Sequence, residues 1–130
     1  MSLNILIVDD SSIARSVITK TIKLSGVPCE NFLYAENGRE GLDVLRKNCV
    51  DVALLDINMP VMTGIEMADE MLSDEHLKSI PVIIISTEGS TTVMKKLQEK
   101  GVKGFIRKPF TPEKFCHIFN EVLGTENEKI

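Results

Sequence analysis

The hydropathy pattern along the chain switches between two periods. Leu3 to Val8 (LNILIV), Val52 to Leu55 (VALL) and Pro81 to Ile85 (PVIII) are short, almost unbroken apolar runs. Runs of this kind suit strands buried on both faces of a parallel sheet. Between them, apolar positions recur at helical spacing. The last such segment is the clearest: Phe115, Ile118, Phe119, Val122 and Leu123 fall at i, i+3, i+4, i+7 and i+8, one stripe of a helix. Thr111 and Pro112 begin it as N-cap and first-turn proline, with Glu113 in the first turn. Ser11 or Ser12 caps a helix carrying Ala14, Val17, Ile18 and Ile22. Asn37 with Glu40 forms a capping pair before Leu42 and Leu45. Ser90 caps a helix holding Val93, Met94 and Leu97, which ends at Gly101.

The pattern predicts strands β1 at 4–9, β2 at 31–35, β3 at 51–56, β4 at 81–86 and β5 at 103–107. It predicts helices α1 at 11–25, α2 at 38–47, α3 at 64–72, α4 at 91–100 and α5 at 112–123. Strict β–α alternation with short connections implies a parallel sheet covered by helices on both faces. In β5, Val102, Gly104 and Ile106 alternate with Lys103, Phe105 and Arg107. One of its faces is therefore half solvated, as befits an edge. A chain of 130 residues accommodates one domain, expected over 1–124, with a polar tail at 125–130 that should fray.

Composition removes several function classes. The net charge is −4 and no long basic run occurs, whereas nucleic-acid backbones demand clustered Lys and Arg. No apolar run approaches the roughly 18 residues needed to cross a bilayer. Met1 to Asn4 leads into β1 without a basic region or cleavage site, so no signal peptide is expected. Cys29, Cys49 and Cys116 form no CxxC and have no histidine at zinc-ligand spacing. They read as reduced thiols of a cytoplasmic protein. His76 and His117 read as surface or boundary residues.

Candidate chemistry lies where the strands end. Asp9-Asp10 closes β1, Asp56 closes β3, Ser86-Thr87 closes β4, and Lys108-Pro109 follows β5. In a parallel sheet these groups gather at one edge, the carboxyl edge, where open α/β sheets bind ligands. Singly they are ordinary: two capping acids, a solvated strand end, a loop hydroxyl, a surface cation. Jointly, four strands deliver three acids, a hydroxyl and an amine to one place. Three carboxylates so close raise one another's pKa or draw in a cation. Hard oxygen ligands at a partly open site favour Mg²⁺, which keeps several waters and takes phosphate oxygen. With Mg²⁺ and Lys108 the charge sums to about zero, and a phosphoryl group on Asp56 leaves it near −1.

Four motifs carry a family resemblance: ILIVDDSSIAR (Ile5 to Arg15), LLDINMPVMTG (Leu54 to Gly64), PVIIISTEGS (Pro81 to Ser90) and GVKGFIRKPFTPEKF (Gly101 to Phe115). In these segments, which span nearly the whole chain in order, the sequence resembles the receiver domains of bacterial response regulators, and among them the single-domain chemotaxis kind. The resemblance implies a flavodoxin-like, doubly wound five-stranded parallel sheet of order 2-1-3-4-5 with helices on both faces. (That order comes with the resemblance and not from the residues; chemotaxis receivers are a standard example of it.)

The resemblance also implies roles. Asp56 is the phosphoacceptor. Asp10, Asp9 and Asp56 hold Mg²⁺ together with the backbone carbonyl of Asn58. Lys108 pairs with the phosphoryl oxygens, and the backbone N–H of Thr87 binds them. Ser86 and Phe105 are the switch pair; as Phe, residue 105 signals by ring burial alone. Asn58 and Glu88 flank the attacking water and set phosphoryl lifetime. The peptide before Pro109 is cis, a form found in roughly 5–6% of X–Pro bonds. The protein is then a signalling switch that catalyses its own aspartyl phosphorylation and dephosphorylation. Its donor is a sensor histidine kinase, and its output is an unidentified protein on the α4-β5-α5 face, with no direct nucleic-acid or membrane partner.

Other readings fit less well. A haloacid-dehalogenase-like phosphatase needs a second acid two residues after the nucleophile, where this chain has Asn58. An FMN carrier needs a hydroxyl- and Gly-rich phosphate loop where Asp9-Asp10 would repel phosphate. A receiver that no longer takes phosphate would not need the whole set of Asp9, Asp10, Asp56, Ser86 and Lys108. A receiver belonging to a longer regulator or hybrid kinase would carry the same motifs. Replacing Asn58 and Glu88 together should change the half-life of phospho-Asp56 without abolishing phosphorylation. Unchanged decay in the double variant would refute their assigned role.

Overall fold

The computed structural model describes residues 3–57, 59, 61–86 and 91–123. The strands are β1 (Leu3–Val8), β2 (Cys29–Ala35), β3 (Val52–Asp56), β4 (Val82–Ser86) and β5 (Gly104–Arg107). The helices are α1 (Ser12–Ser25), α2 (Gly38–Lys47), α3 (Gly64–Ser73), α4 (Thr91–Lys100) and α5 (Pro112–Leu123). The strands form one sheet of order β2-β1-β3-β4-β5, with every neighbouring pair parallel. This is the flavodoxin-like topology expected above.

The unbroken apolar runs follow from burial on both sheet faces. Ile5, Ile7, Val52, Leu54, Ile83, Ile85 and Ile106 point to one face, where they meet Ile18 and Ile22 of α1 and Phe115, Ile118 and Phe119 of α5. Leu6, Val8, Ala53, Leu55, Val82 and Ile84 point to the other, against Leu42 and Leu45 of α2, Met67 and Met71 of α3 and Leu97 of α4. Neither face of the central strands meets water, so alternation disappears from their sequence. The edge strand β5 keeps it, with Gly104 and Ile106 buried, Phe105 half-buried and Arg107 exposed.

Several local expectations need correction. β2 begins two residues early, at Cys29, because a register shift between Leu3 and Asn4 lets it pair from Leu3↔Cys29 to Asn4↔Asn31. β3 begins only at Val52; the Asp51 carboxylate instead accepts the Asn4 N–H at 2.7 Å. The α1 cap is Ser11, whose Oγ accepts the Ala14 N–H at 3.1 Å. Val17, read above with the apolar stripe of that helix, is 46% exposed. Asn37 caps α2 through the Glu40 N–H, but the Glu40 carboxylate reaches back to the Glu36 N–H and not to Asn37. A reciprocal capping box occurs instead at Thr63 and Glu66, opening α3. Thr111 caps α5 as expected, accepting the Lys114 N–H at 3.2 Å. The expected cap Ser90 and the tail 125–130 lie outside the described residues.

The α1–α5 core centres on Phe115. Its ring is fully buried, edge-on to Phe110 at 5.3 Å and stacked on Phe119 at 6.1 Å between centroids. Phe115→Ala should cost about 3–5 kcal/mol, measured as a fall in the urea midpoint. A loss below about 1 kcal/mol would contradict this packing.

Candidate functional site

Each acid of the site is placed by the end of a strand. Asp9 follows the last residue of β1 and is 2% exposed. Its N–H donates to the Ala35 carbonyl at 3.1 Å, extending the β1–β2 pairing by one residue. Its Oδ1 accepts the Ser11 N–H at 3.0 Å, and the Arg15 Nη1 donates to its carbonyl at 2.6 Å. Asp10 is exposed. Asp56, the last residue of β3, is half-buried. One carboxylate oxygen from each of the three lies within 4.8 Å of the others.

The cation comes from the far side of the sheet. Lys108 Nζ lies 3.6 Å from Asp56 Oδ1 and 3.9 Å from Asp9 Oδ2. The Lys108 N–H donates to the Ser86 carbonyl at 2.9 Å, tying the loop after β5 to the tip of β4. The Lys108–Pro109 peptide is cis. Ser86 is buried and neighbours Ile85, the register partner of Asp56. Phe105 is half-buried and packs against the core under α2, α3 and α4. The structure thus gathers Asp9, Asp10, Asp56 and Lys108, with Ser86 at the adjoining strand end. Asn58, Thr87 and Glu88 lie outside the described residues.

This crowding raises the Asp56 pKa from 3.8 to about 6. Burial contributes most, the Asp9 charge next and the Asp10 charge also, while Lys108 opposes them. Repulsion between carboxylates, the cause invoked from sequence, is therefore real but second to desolvation.

Asp9 Oδ2 is buried and accepts no hydrogen bond from the described residues. Lys108, at 3.9 Å, is beyond hydrogen-bond range. A buried carboxylate oxygen without a donor is costly, and a cation would supply what it lacks. The donor set of one buried, one half-buried and one exposed carboxylate suits a magnesium ion that keeps part of its water shell.

Two positioning residues had no role in the sequence reading. Gly64 opens α3 hard against the site: its N–H donates to the Ile57 carbonyl at 3.0 Å, and a Cβ there would overlap the Asp56 carbonyl oxygen. The glycine stood within a family motif, but only the folded backbone reveals the contact. Arg15, the donor to the Asp9 carbonyl, lies in the first turn of α1; it too stood within a family motif, but only the fold shows the contact.

The sequence profile of the response regulator receiver domain matches residues 5–120. The chain belongs to the response regulator receiver family. Chemotaxis protein CheY1 of Helicobacter pylori is 37% identical over 126 residues, covering 96% of this chain and 100% of the relative. Among solved structures, chemotaxis protein CheY4 of Vibrio cholerae superposes with a TM-score of 0.82 at 31% identity, covering 94% of this chain and 99% of that one. The phosphorylated cyanobacterial phytochrome response regulator RcpA superposes at 0.81 with 26% identity, covering 96% of each chain. This receiver is the signalling-switch domain of a two-component response regulator.

The shifted Asp56 makes the metal-free protein pH-sensitive in a definite direction. A raised carboxyl pKa means the folded state binds the proton more tightly than the unfolded chain. The Asp56 contribution to stability is therefore fully present below the ordinary value of 3.8, is lost as pH rises to about 6, and is constant above. Asp56→Asn removes that loss. It should stabilise the metal-free protein by on the order of 1–3 kcal/mol near pH 7.5 and by little near pH 4. Urea titrations at the two pH values measure this; equal stabilities near pH 7.5 would contradict it.

Proposed function

We propose that this receiver is the phosphoacceptor of a chemotaxis-type two-component system, modified on Asp56 by a histidine kinase. The observation that carries the reading is the gathering of three carboxylates within 4.8 Å with an ammonium 3.6 Å from the Asp56 oxygen. An Asp56 oxygen attacks the phosphorus of a kinase phosphohistidine. The P–O bond forms as the P–N bond breaks, and the imidazole nitrogen leaves with the electron pair. Lys108 lies where it neutralises charge on the transferring oxygens. The phosphorylated state of RcpA, a relative at 26% identity, supports the reading. The chemotaxis names of its relatives at 31–37% identity support the pathway.

Asp9, Asp10, Asp56 and the Asn58 carbonyl would hold magnesium. When bound, the ion supplies positive charge against the phosphoryl oxygens. The buried Asp9 oxygen supports that assignment. The Ser86 hydroxyl and the Thr87 N–H bind the phosphoryl group, and the Ser86 shift is coupled to burial of the Phe105 ring. Asn58 and Glu88 border the path of the hydrolytic water. The switch then completes both its own phosphorylation and its dephosphorylation.

Output passes to a protein bound on α4, β5 and α5, where the half-buried Phe105 sits at the sheet edge. No described helix is long and apolar enough to cross a membrane. We place the protein in the cytoplasm with its kinase.

Beryllofluoride with Mg²⁺ should bind the wild-type chain and fail to bind Asp56→Asn. The sequence has no tryptophan, so calorimetry and fluorine NMR are the readouts. Beryllofluoride binding to Asp56→Asn at wild-type affinity would overturn the assignment of the acceptor.

A further inference from the structure

Lys108 reaches two carboxylates from a loop, so its reach depends on where its backbone stands. Its N–H donates to the Ser86 carbonyl at 2.9 Å, which ties the residue to the tip of β4. A second anchor comes from α5. Lys114, in the first turn of that helix, turns its ammonium back over the loop. Its Nζ donates to the Pro109 carbonyl at 2.8 Å and, less closely, to the Arg107 carbonyl at 3.4 Å. These two carbonyls belong to the residues immediately before and after Lys108. The Lys114 N–H donates to Thr111 Oγ1 at 3.2 Å, so one residue grips three points of the segment 107–111. The Phe110 ring, edge-on to Phe115 at 5.3 Å, holds the same segment from the core side.

Helix formation gives no reason for a lysine at this position. The first turn of a helix carries partial positive charge from its unpaired N–H groups, which favours acids and disfavours cations. Glu113 suits that turn and Lys114 does not. Lys114 also forms no ion pair among the described residues, in a chain with 19 Asp and Glu. Its partners are backbone carbonyls. A lysine stem is flexible, so the positions open to the Lys108 ammonium depend on how firmly the peptide units at its base are held. That ammonium stands 3.6 Å from Asp56 Oδ1 and 3.9 Å from Asp9 Oδ2.

We propose that Lys114 is a positioning residue for Lys108: by capturing the carbonyls of Arg107 and Pro109 it clamps the loop that delivers the Lys108 ammonium to Asp56 and Asp9. The clamp is a property of the metal-free chain. Its consequence, slower phosphoryl transfer when it is removed, rests on the reading of Asp56 as the acceptor. Displacing a catalytic group by about 1 Å costs up to roughly 100-fold in rate. Losing one exposed hydrogen bond loosens a loop by less, so the effect is several-fold. A surface cation that merely attracts an anionic donor behaves differently. It changes KM, and the change fades as salt screens it. A clamp changes the maximal rate and is indifferent to salt.

Two variants of the full chain test the proposal. Lys114→Met keeps the apolar stem and removes the donors; Lys114→Arg keeps donors and charge. Lys114 is exposed, so both should unfold at the wild-type temperature. Hydrogen exchange of the Lys108 amide, followed by ¹H–¹⁵N NMR without metal or phosphate, reads the clamp directly. Exchange should be roughly two- to tenfold faster in Lys114→Met and within about twofold of wild type in Lys114→Arg. With Mg²⁺ and acetyl phosphate, the saturated phosphorylation rate should fall about three- to tenfold in Lys114→Met and recover in Lys114→Arg. KM should stay within about twofold, and the deficit should persist at roughly 0.5 M NaCl. Three results would overturn the proposal: unchanged Lys108 exchange in Lys114→Met; a rate deficit confined to KM or abolished by salt; or a Lys114→Arg chain as slow as Lys114→Met. A wild-type chain that takes no phosphoryl group would refute the acceptor reading instead, and the exchange measurement would still decide the clamp.

Discussion

The structure is organised around negative charge that the sheet brings together and cannot disperse. Parallel strands all end at one edge, so Asp9, Asp10 and Asp56 arrive there together, the Asp9 N–H already committed to the Ala35 carbonyl. Asp9 is buried by that pairing, and its second oxygen accepts no bond from the described residues. Asp56 shares the same half-dry space and holds its proton to about pH 6. Lys108 meets two of the three acids at salt-bridge distance, too far to satisfy Asp9 by hydrogen bonding. The resulting imbalance favours a divalent cation and, with it, a phosphoryl group.

The surrounding fold serves to hold that imbalance in place. Two apolar layers clamp the sheet, and the strand tips inherit their rigidity. Gly64 lets α3 start against the Asp56 backbone, where a larger residue would displace the acid. Arg15 anchors the turn after β1 through the Asp9 carbonyl. Neither residue touches a phosphoryl group in the proposed reaction, yet both set where the acids stand. The edge strand β5, four residues long, carries the half-buried Phe105 that the proposed switch would move.

Helix α1 connects the two kinds of surface on this receiver. Its inner face belongs to the Phe115 core, and its first turn stands against the carboxylates. Its outer face repeats the apolar character of the inner one, with lysine on one flank. Burial explains Ile18 and Ile22 completely. It leaves Ile13, Val17 and Leu24 exposed on the outer face.

The sequence by itself determined the succession of five strands and five helices. A strand buried on both faces must be apolar throughout, and a helix on its surface must carry a stripe; both patterns are local and legible. It also marked the acids, the hydroxyl and the lysine as strand-end groups, since the acids and the hydroxyl close apolar runs and Lys108 follows the alternating segment of β5. The strand order came from the family resemblance, because hydropathy does not record which strand lies beside which. Tertiary structure alone decided the rest. The start of β2, the outward turn of Val17, the Glu40–Glu36 contact and the close approach of Gly64 to Asp56 depend on neighbours distant in sequence or on small rotations. Desolvation outranks charge repulsion at Asp56 for the same reason: burial is a property of the packed sheet edge, and no list of charges contains it.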